Sequence, residues 1–294
     1  MTVLVVEHEP EAPPGRLGAT SLDLHVVRPY AGDVVPDDLS DFAGFVVLGG
    51  EMGAYDDTDH PWLAPTRELV RRAAATDVPT LLVCLGHQLG AVALGGAVAR
   101  NPRGPQWDVV DVGLTEEGRT DALLRHLPDG ARVVHWNGDV VTDLPDGAVL
   151  LARDPRGDVQ AVRYVPRMWG LQCHPEADAE IVARWGADET DPEDAARAAR
   201  AIAEARSCDA LLDGTWRPVL EAFARLVATN RRPSNPAPDC EVTPRPVAET
   251  LGPTTGFGAH RAVIDAPVTE AGRPTSVRRG APAPDHVDET GDGA

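Results

Sequence analysis

The chain has 294 residues and a formal net charge of −19, and every one of its 27 basic residues is arginine. That acidity argues against a phosphate-tracking nucleic-acid binder, which needs a basic face, and against docking on anionic lipid. No apolar run approaches the ~18 residues of a membrane span, and MTVLVVEHEPE lacks a signal peptide's basic start and apolar run, so a cytoplasmic setting is expected.

Short β-rich runs recur through the first 175 residues, at Val3–Val6, Phe45–Leu48, Thr80–Cys84, Val109–Leu114, Val133–Trp136, Val149–Arg153, Ala161–Val165 and Trp169–Gln172. Several are continuously apolar, which suits strands buried on both faces. A helical pattern spans Pro61 to Thr76, with Pro61 in the first turn and Asp59 as its cap. A second helix is expected from Gln88 to Leu94, closed by Gly95-Gly96. Strands alternating with helices predict an α/β domain with a mainly parallel sheet, and the closer spacing of the later strands predicts a smaller antiparallel portion.

After His174 the texture becomes helical, over Ala177–Trp185, Pro192–Ala205 (capped by Asp191) and Trp216–Ala228. The last carries an apolar stripe of Trp216, Val219, Leu220, Phe223 and Val227, read as core packing. From Asn230 onward there are 10 Pro and 7 Gly and no periodicity, so a disordered tail is expected. The predicted organisation is residues 1–186 as the catalytic unit, 187–229 as a helical extension packed on it, and 230–294 as the tail.

The cysteines Cys84, Cys173, Cys208 and Cys240 form no CxxC pair and are read as free thiols. Cys84 stands apart, because PTLLVCLGHQLG runs from a buried strand directly into a turn and helix. A side chain at such an elbow is pushed out above the sheet. The partial positive charge of a helix N-terminus suits an anionic sulfur there. The Leu85 N–H is free to donate to an oxyanion, and Gly86 lets the turn bend. The partner such a thiol needs is His174, in LQCHPE, where Pro175 ends a strand and Glu176 can fold back onto the imidazole.

VCLGHQ together with LQCHPE resembles the class I glutamine amidotransferases, whose glutaminase domain uses a Cys-His-Glu triad. Leu48-Gly49-Gly50 resembles that family's glycine pair, and GGEMGAYDDTDHPWL and HWNGD look most like its stand-alone, GMP-synthase-like members. The motifs run in family order from Val3 to Ala183. The resemblance implies a flavodoxin-like sheet with the site at the carboxyl ends of its strands. It implies that Cys84 attacks the glutamine side-chain amide, that the amides of Gly50 and Leu85 hold the oxyanion beside Gly49, and that Gln88 helps to hold the substrate. It implies no cofactor. Three positions depart from the family pattern: Leu82 stands where a glycine is common, Cys173 where an aromatic precedes the histidine, and Asn137 where a second histidine is common.

Other readings compete for the same residues. Cys84, His87, Cys173 and His174 could bind zinc, but Cys173 should alternate to the opposite side of its strand from His174. Gly49-Gly50-x-x-Gly53 lacks a phosphate loop's lysine, and Glu51 and Asp56 would repel phosphate. His135, Trp136 and Asp139 are candidate pocket residues, with His135 and Asp139 either a second catalytic pair or a structural turn. Glu51, Asp56, Asp57 and Asp59 form either a solvated loop or a selector for a cationic leaving group.

The leading expectation is a glutaminase unit that passes ammonia to a synthetase on another chain, since no ATP-binding segment is visible. The second is a free-standing hydrolase of γ-glutamyl amides with no partner. The third is a non-catalytic regulatory homologue, which the intact Cys84, His174 and Glu176 speak against.

Overall fold

The computed structural model describes residues 2–187 and 189–230. In chain order its strands are β1 (Thr2–Val6), β2 (Asp23–Val27), β3 (Gly44–Val47), β4 (Thr80–Val83), β5 (Ala97–Arg100), β6 (Gln106–Asp111), β7 (Gly113–Leu114), β8 (Arg132–Asn137), β9 (Asp139–Asp143), β10 (Val149–Arg153), β11 (Val159–Val165) and β12 (Met168–Leu171). Its helices are α1 (Leu63–Ala75), α2 (Leu85–Ala93), α3 (Glu116–Thr120), α4 (Ala179–Trp185) and α5 (Pro192–Ala228).

Eight strands form one sheet in the order β2-β1-β3-β4-β12-β11-β10-β7. From β2 to β12 every pairing is parallel, and from β12 to β7 every pairing is antiparallel. This is the expected α/β, flavodoxin-like arrangement with a mainly parallel centre and a smaller antiparallel side. Two further antiparallel ribbons, β5–β9 and β6–β8, stand outside the main sheet.

The continuous apolar runs are explained by burial on both faces. Val3, Val5, Val46, Leu81 and Val83 face one core, shared with Trp216, Leu220 and Phe223 of α5. Leu4, Val6, Phe45, Val47 and Leu82 face the other, shared with Leu69 and Val70 of α1 and Leu89 of α2. Period-two alternation therefore sends neighbouring residues to opposite apolar layers, so no polar face appears in the sequence.

Several boundaries differ from expectation. The two predicted helices Pro192–Ala205 and Trp216–Ala228 are one helix, α5, with Pro218 inside it. The proline removes one backbone donor, but Trp216, Val219, Leu220 and Phe223 on its flanks are almost fully buried, and that packing carries the helix through. Asp191 caps it as predicted, accepting from the N–H groups of Glu193 and Asp194. At the other end Arg167 donates to the Leu226 carbonyl and to Asn230. The predicted tail from 231 onward lies outside the described residues.

The predicted strand Val109–Leu114 divides into β6 and β7, which belong to different sheets. Helix α1 starts two residues after Pro61 and has Trp62, not Asp59, at its N-cap. Helix α2 starts at Leu85, because Cys84 itself is the N-cap residue. The short strands β2, β5 and β9 were not foreseen. Strand β2 is an edge strand with exposed polar Asp23 and His25, so it lacks the continuous apolar signal.

Because α5 shares the core of the sheet, truncating its buried stripe should unfold the protein. Phe223→Ala is expected to cost about 3–5 kcal/mol in chemical denaturation, against about 0.5 kcal/mol or less for the exposed neighbour Glu221→Ala. Equal, small losses would mean that the helix is not part of the core.

Candidate active site

The parallel half of the sheet brings three chain segments to one edge. Strands β3, β4 and β12 are neighbours, and from their carboxyl ends come Gly49-Gly50, Cys84 and His174. The Cys84 N–H donates to the Leu171 carbonyl at 2.7 Å, which ties the end of β4 to the end of β12. The His174 N–H donates to Val134 of β8 at 2.9 Å, which holds the ribbon over the same edge.

Cys84 adopts φ 49°, ψ −107°, a conformation that L-residues rarely occupy. The thiol sits at the mouth of α2 and is 5% exposed. Its Sγ lies 3.9 Å from the Trp136 carbonyl, and Gln172 donates to it at 3.6 Å. The Leu85 N–H is the first of α2, so it has no intrahelical acceptor. Among the described residues neither Leu85 nor Gly50 donates its N–H to another backbone carbonyl outside regular elements.

Gly49 shows how close the components are. A Cβ built on it would meet His174 Cε1 at 3.0 Å and Cys84 Cβ at 3.5 Å, so both side chains pack against the same glycine. His174 Nδ1 is 2.8 Å from Glu176 Oε1, and both side chains are buried. Among the described residues Nε2 makes no hydrogen bond. Burial alone would strip the proton from this ring. The Cys84 sulfur and the Glu176 carboxylate together outweigh it and push the imidazole up to about 10.

The backbone of Glu176 is fixed from across the fold. Its carbonyl accepts the Arg16 N–H at 2.8 Å. Gly15, at φ 50°, lies so close that a Cβ there would come within 2.2 Å of that carbonyl. Only glycine fits both the conformation and the space.

Gln88 lines the cleft and donates to the Asp139 carbonyl at 3.1 Å and to Gln172 at 3.3 Å. Trp136 and Asp139 also line the cleft. His135, expected with them, does not line it: it lies deeper in β8 and is fully buried, and burial, with the nearby charges of His174 and Arg156, lowers it to about 3. The paired His135–Asp139 reading is therefore not assembled.

Nor do the zinc candidates converge. His87 bonds to the Tyr164 hydroxyl at 2.9 Å, and Cys173 is buried in the sheet core, where burial raises its thiol far above the ordinary value. The departure at Leu82 is accommodated by Gly90, since a Cβ on Gly90 would stand 2.5 Å from Leu82 Cδ1. The side chain added under the elbow fills space that α2 leaves open.

Sequence reasoning missed Trp107, Gln172 and Trp185. Trp185 covers His174, with ring centroids 4.6 Å apart, and its indole N–H is held by the Glu11 carbonyl at 2.9 Å. Its position as the last residue of a predicted helix gave no sign of this, because the contact joins segments remote in the chain.

A parallel α/β sheet with a cysteine at a strand-to-helix elbow and a histidine at the neighbouring strand end defines an amidotransferase-type domain. Residues 15–181 match the family model for glutamine amidotransferase class-I, and the chain belongs to that family. It is 29% identical over 147 residues to γ-glutamyl peptidase 4 of Arabidopsis thaliana, covering 49% of this chain and 58% of that protein. It is 32% identical over 159 residues to a glutamine-hydrolysing GMP synthase subunit of Sulfolobus acidocaldarius, covering 52% of this chain and 80% of that one. The aligned stretch thus spans less than two thirds of the Arabidopsis relative's own length. A crystal structure of a glutamine amidotransferase from Thermotoga maritima superposes with a TM-score of 0.68 at 26% identity, covering 77% of this chain and 98% of that one.

The raised His174 gives a pH test. Its folded value lies above the ordinary 6.5, so the pair's stabilisation is full below about pH 6.5 and is lost as pH rises through about 10. NMR titration of the ring is expected to show it protonated through neutral pH, and Cys84→Ala should return it toward 6.5. A wild-type ring that titrates near 6.5 contradicts the charge pairing.

Proposed function

We propose that this protein hydrolyses the side-chain amide of glutamine through a Cys84 thioester and supplies the ammonia to a separate synthetase. The observation that carries this reading is the buried Glu176–His174 pair packed against the same glycine as the elbow cysteine. Membership of the amidotransferase family supports it, and so does the name of the Sulfolobus relative, a glutamine-hydrolysing synthase subunit.

In the first step the Cys84 sulfur forms a bond to the γ-carbonyl carbon, and the carbonyl oxygen becomes an oxyanion held by the Gly50 and Leu85 N–H groups. The C–N bond breaks as nitrogen takes the Nε2 proton of His174, releasing ammonia. Neutral His174 then takes a proton from water, whose oxygen attacks the thioester. Glutamate leaves, and the proton returns to the Cys84–His174 pair. Glu176 holds Nδ1 throughout and stabilises the imidazolium. Gln88 and Gln172 fix the floor beside the sulfur. The helix α5 extension and the catalytic sheet act as one unit in this reading, because they share a core.

A second reading, hydrolysis of larger γ-glutamyl amides with water as the only acceptor, is favoured by the cleft itself. Its volume of about 1120 Å³ exceeds the ~300–1,000 Å³ typical of pockets for drug-sized ligands, so glutamine alone leaves most of it unfilled. The Arabidopsis relative's name, γ-glutamyl peptidase, fits that reading.

Both readings share the thioester, which is the first thing to test. Cys84→Ala is expected to abolish glutamate release, and Glu176→Gln to lower kcat by about 10²-fold or more. Rapid acid quench of wild-type turnover should trap a glutamyl adduct on the peptide containing Cys84 by mass spectrometry. Undiminished glutamate release by Cys84→Ala would end the proposal.

A further inference from the structure

Beyond the reacting atoms, the cleft wall carries two chemistries that favour the same kind of group. The carboxylates of Glu9, Glu11, Glu51, Asp56, Glu189 and Asp194 line it. Asp194 is paired with Arg197 at 2.6 Å, and Asp139, which lines the cleft too, pairs with Arg100 at 3.3 Å; Arg184 is the other arginine of the wall. Of the acidic run read from the sequence, Glu51 and Asp56 belong to the cleft. Asp57 is instead held by Arg67 at 2.6 Å and 2.8 Å, and Asp59 is not part of the lining. Burial, and then the charges of Glu51 and Glu11, push the Glu9 carboxyl above its ordinary value.

The second chemistry is aromatic. Trp136 stacks on Trp107 with centroids 5.0 Å apart and 7° between planes, and Trp185 is tilted at 50° to Trp136 with centroids 5.8 Å apart. All three line the same cleft. Indole faces attract cations, and one is already so used, with Arg197 lying 5.7 Å from the Trp107 centroid.

One buried polar atom beside this wall points to a ligand: Asn137 lines the cleft, is 5% exposed, and its Oδ1 has no partner among the described residues. Carboxylates, indole faces and an unpaired amide oxygen are all acceptors of positive charge or of N–H donors.

We infer that this wall is a leaving-group subsite that selects γ-glutamyl amides whose amine carries a second, positively charged nitrogen. The inference rests on the proposed thioester chemistry and names its substrate class. Cys84 takes the γ-glutamyl group, the amide nitrogen departs with the His174 proton, and the distal ammonium remains on the released diamine. The wall holds that ammonium while the amide lies against the elbow.

The experiment compares three synthetic substrates on the full chain: γ-glutamyl-(4-aminobutyl)amide, γ-glutamyl-pentylamide, in which a methyl replaces the ammonium, and γ-glutamyl-4-aminobutanoate. At low salt kcat/KM should be about tenfold or more higher for the first than the second, with the third slowest, and about 0.5 M salt should narrow the spread. Combining Glu51→Gln, Asp56→Asn and Glu189→Gln should bring the first two within about twofold of each other. Equal turnover of the ammonium and methyl substrates by the wild type, or fastest turnover of the carboxylate, overturns the inference and leaves the thioester chemistry standing. No hydrolysis of any of them, nor of glutamine, overturns both.

Discussion

The site depends on one unfavourable backbone conformation. Cys84 sits at φ 49°, where an L-residue stores about 1–3 kcal/mol of strain. The surrounding structure holds it there from both sides. Its N–H is bound to the end of β12, its carbonyl accepts the Gln88 N–H at 3.0 Å, and Gly86 donates to the Leu48 carbonyl of the segment after β3 at 3.2 Å. Gly86 has no room for a side chain, since a Cβ would stand 2.3 Å from the Val47 carbonyl. Three neighbouring strand ends therefore grip the turn, and the sulfur is lifted above the sheet as a result.

The electrostatics of the pair follow from the same geometry. Burying His174 and Glu176 costs desolvation, which a single ion pair seldom offsets. Here the imidazole stands between two negative partners, a carboxylate on Nδ1 and a sulfur on the other side, and the balance turns toward the charged ring. The clamp of Gly15 and Arg16 on the Glu176 carbonyl matters for that reason: the gain requires the carboxylate to stay within hydrogen-bond reach. A segment near the amino terminus thereby fixes an acid near residue 176, an arrangement that chain proximity does not suggest.

Much of this was legible in the sequence, because the elements that carry the site are the most apolar ones. The runs around Val3, Phe45, Thr80 and Trp169 are buried on both faces, and their pattern is unambiguous. The elbow and the HPE turn follow each of two such runs directly. What was illegible has a common physical cause. The break between β6 and β7, the edge strand β2 and the ribbon β5–β9 are set by pairing with distant partners rather than by local periodicity. The continuity of α5 across Pro218 was decided by burial of its flanks, which outweighed a local helix breaker. His135 was misplaced because a strand residue's depth depends on what packs behind it, and Trp185 was missed because its contacts are tertiary.

The cleft wall and the Cys84 thiol are built on different scaffolds but are not independent. Cys84 and His174 stand on strand ends of the main sheet, whereas Trp107 and Trp136 stand on the β6–β8 ribbon and Trp185 on α4. The ribbon nevertheless touches Cys84 and His174 by backbone alone: the Trp136 carbonyl faces Sγ, and the Val134 carbonyl holds the His174 N–H. A chain of amides then runs from the Asp139 carbonyl through Gln88 and Gln172 to the same sulfur. A group seated against Trp136 would therefore rest on the same ribbon whose carbonyls contact Cys84 and His174. In the proposed reaction, the wall that would hold the departing amine and the thiol that would release it therefore share one set of hydrogen bonds.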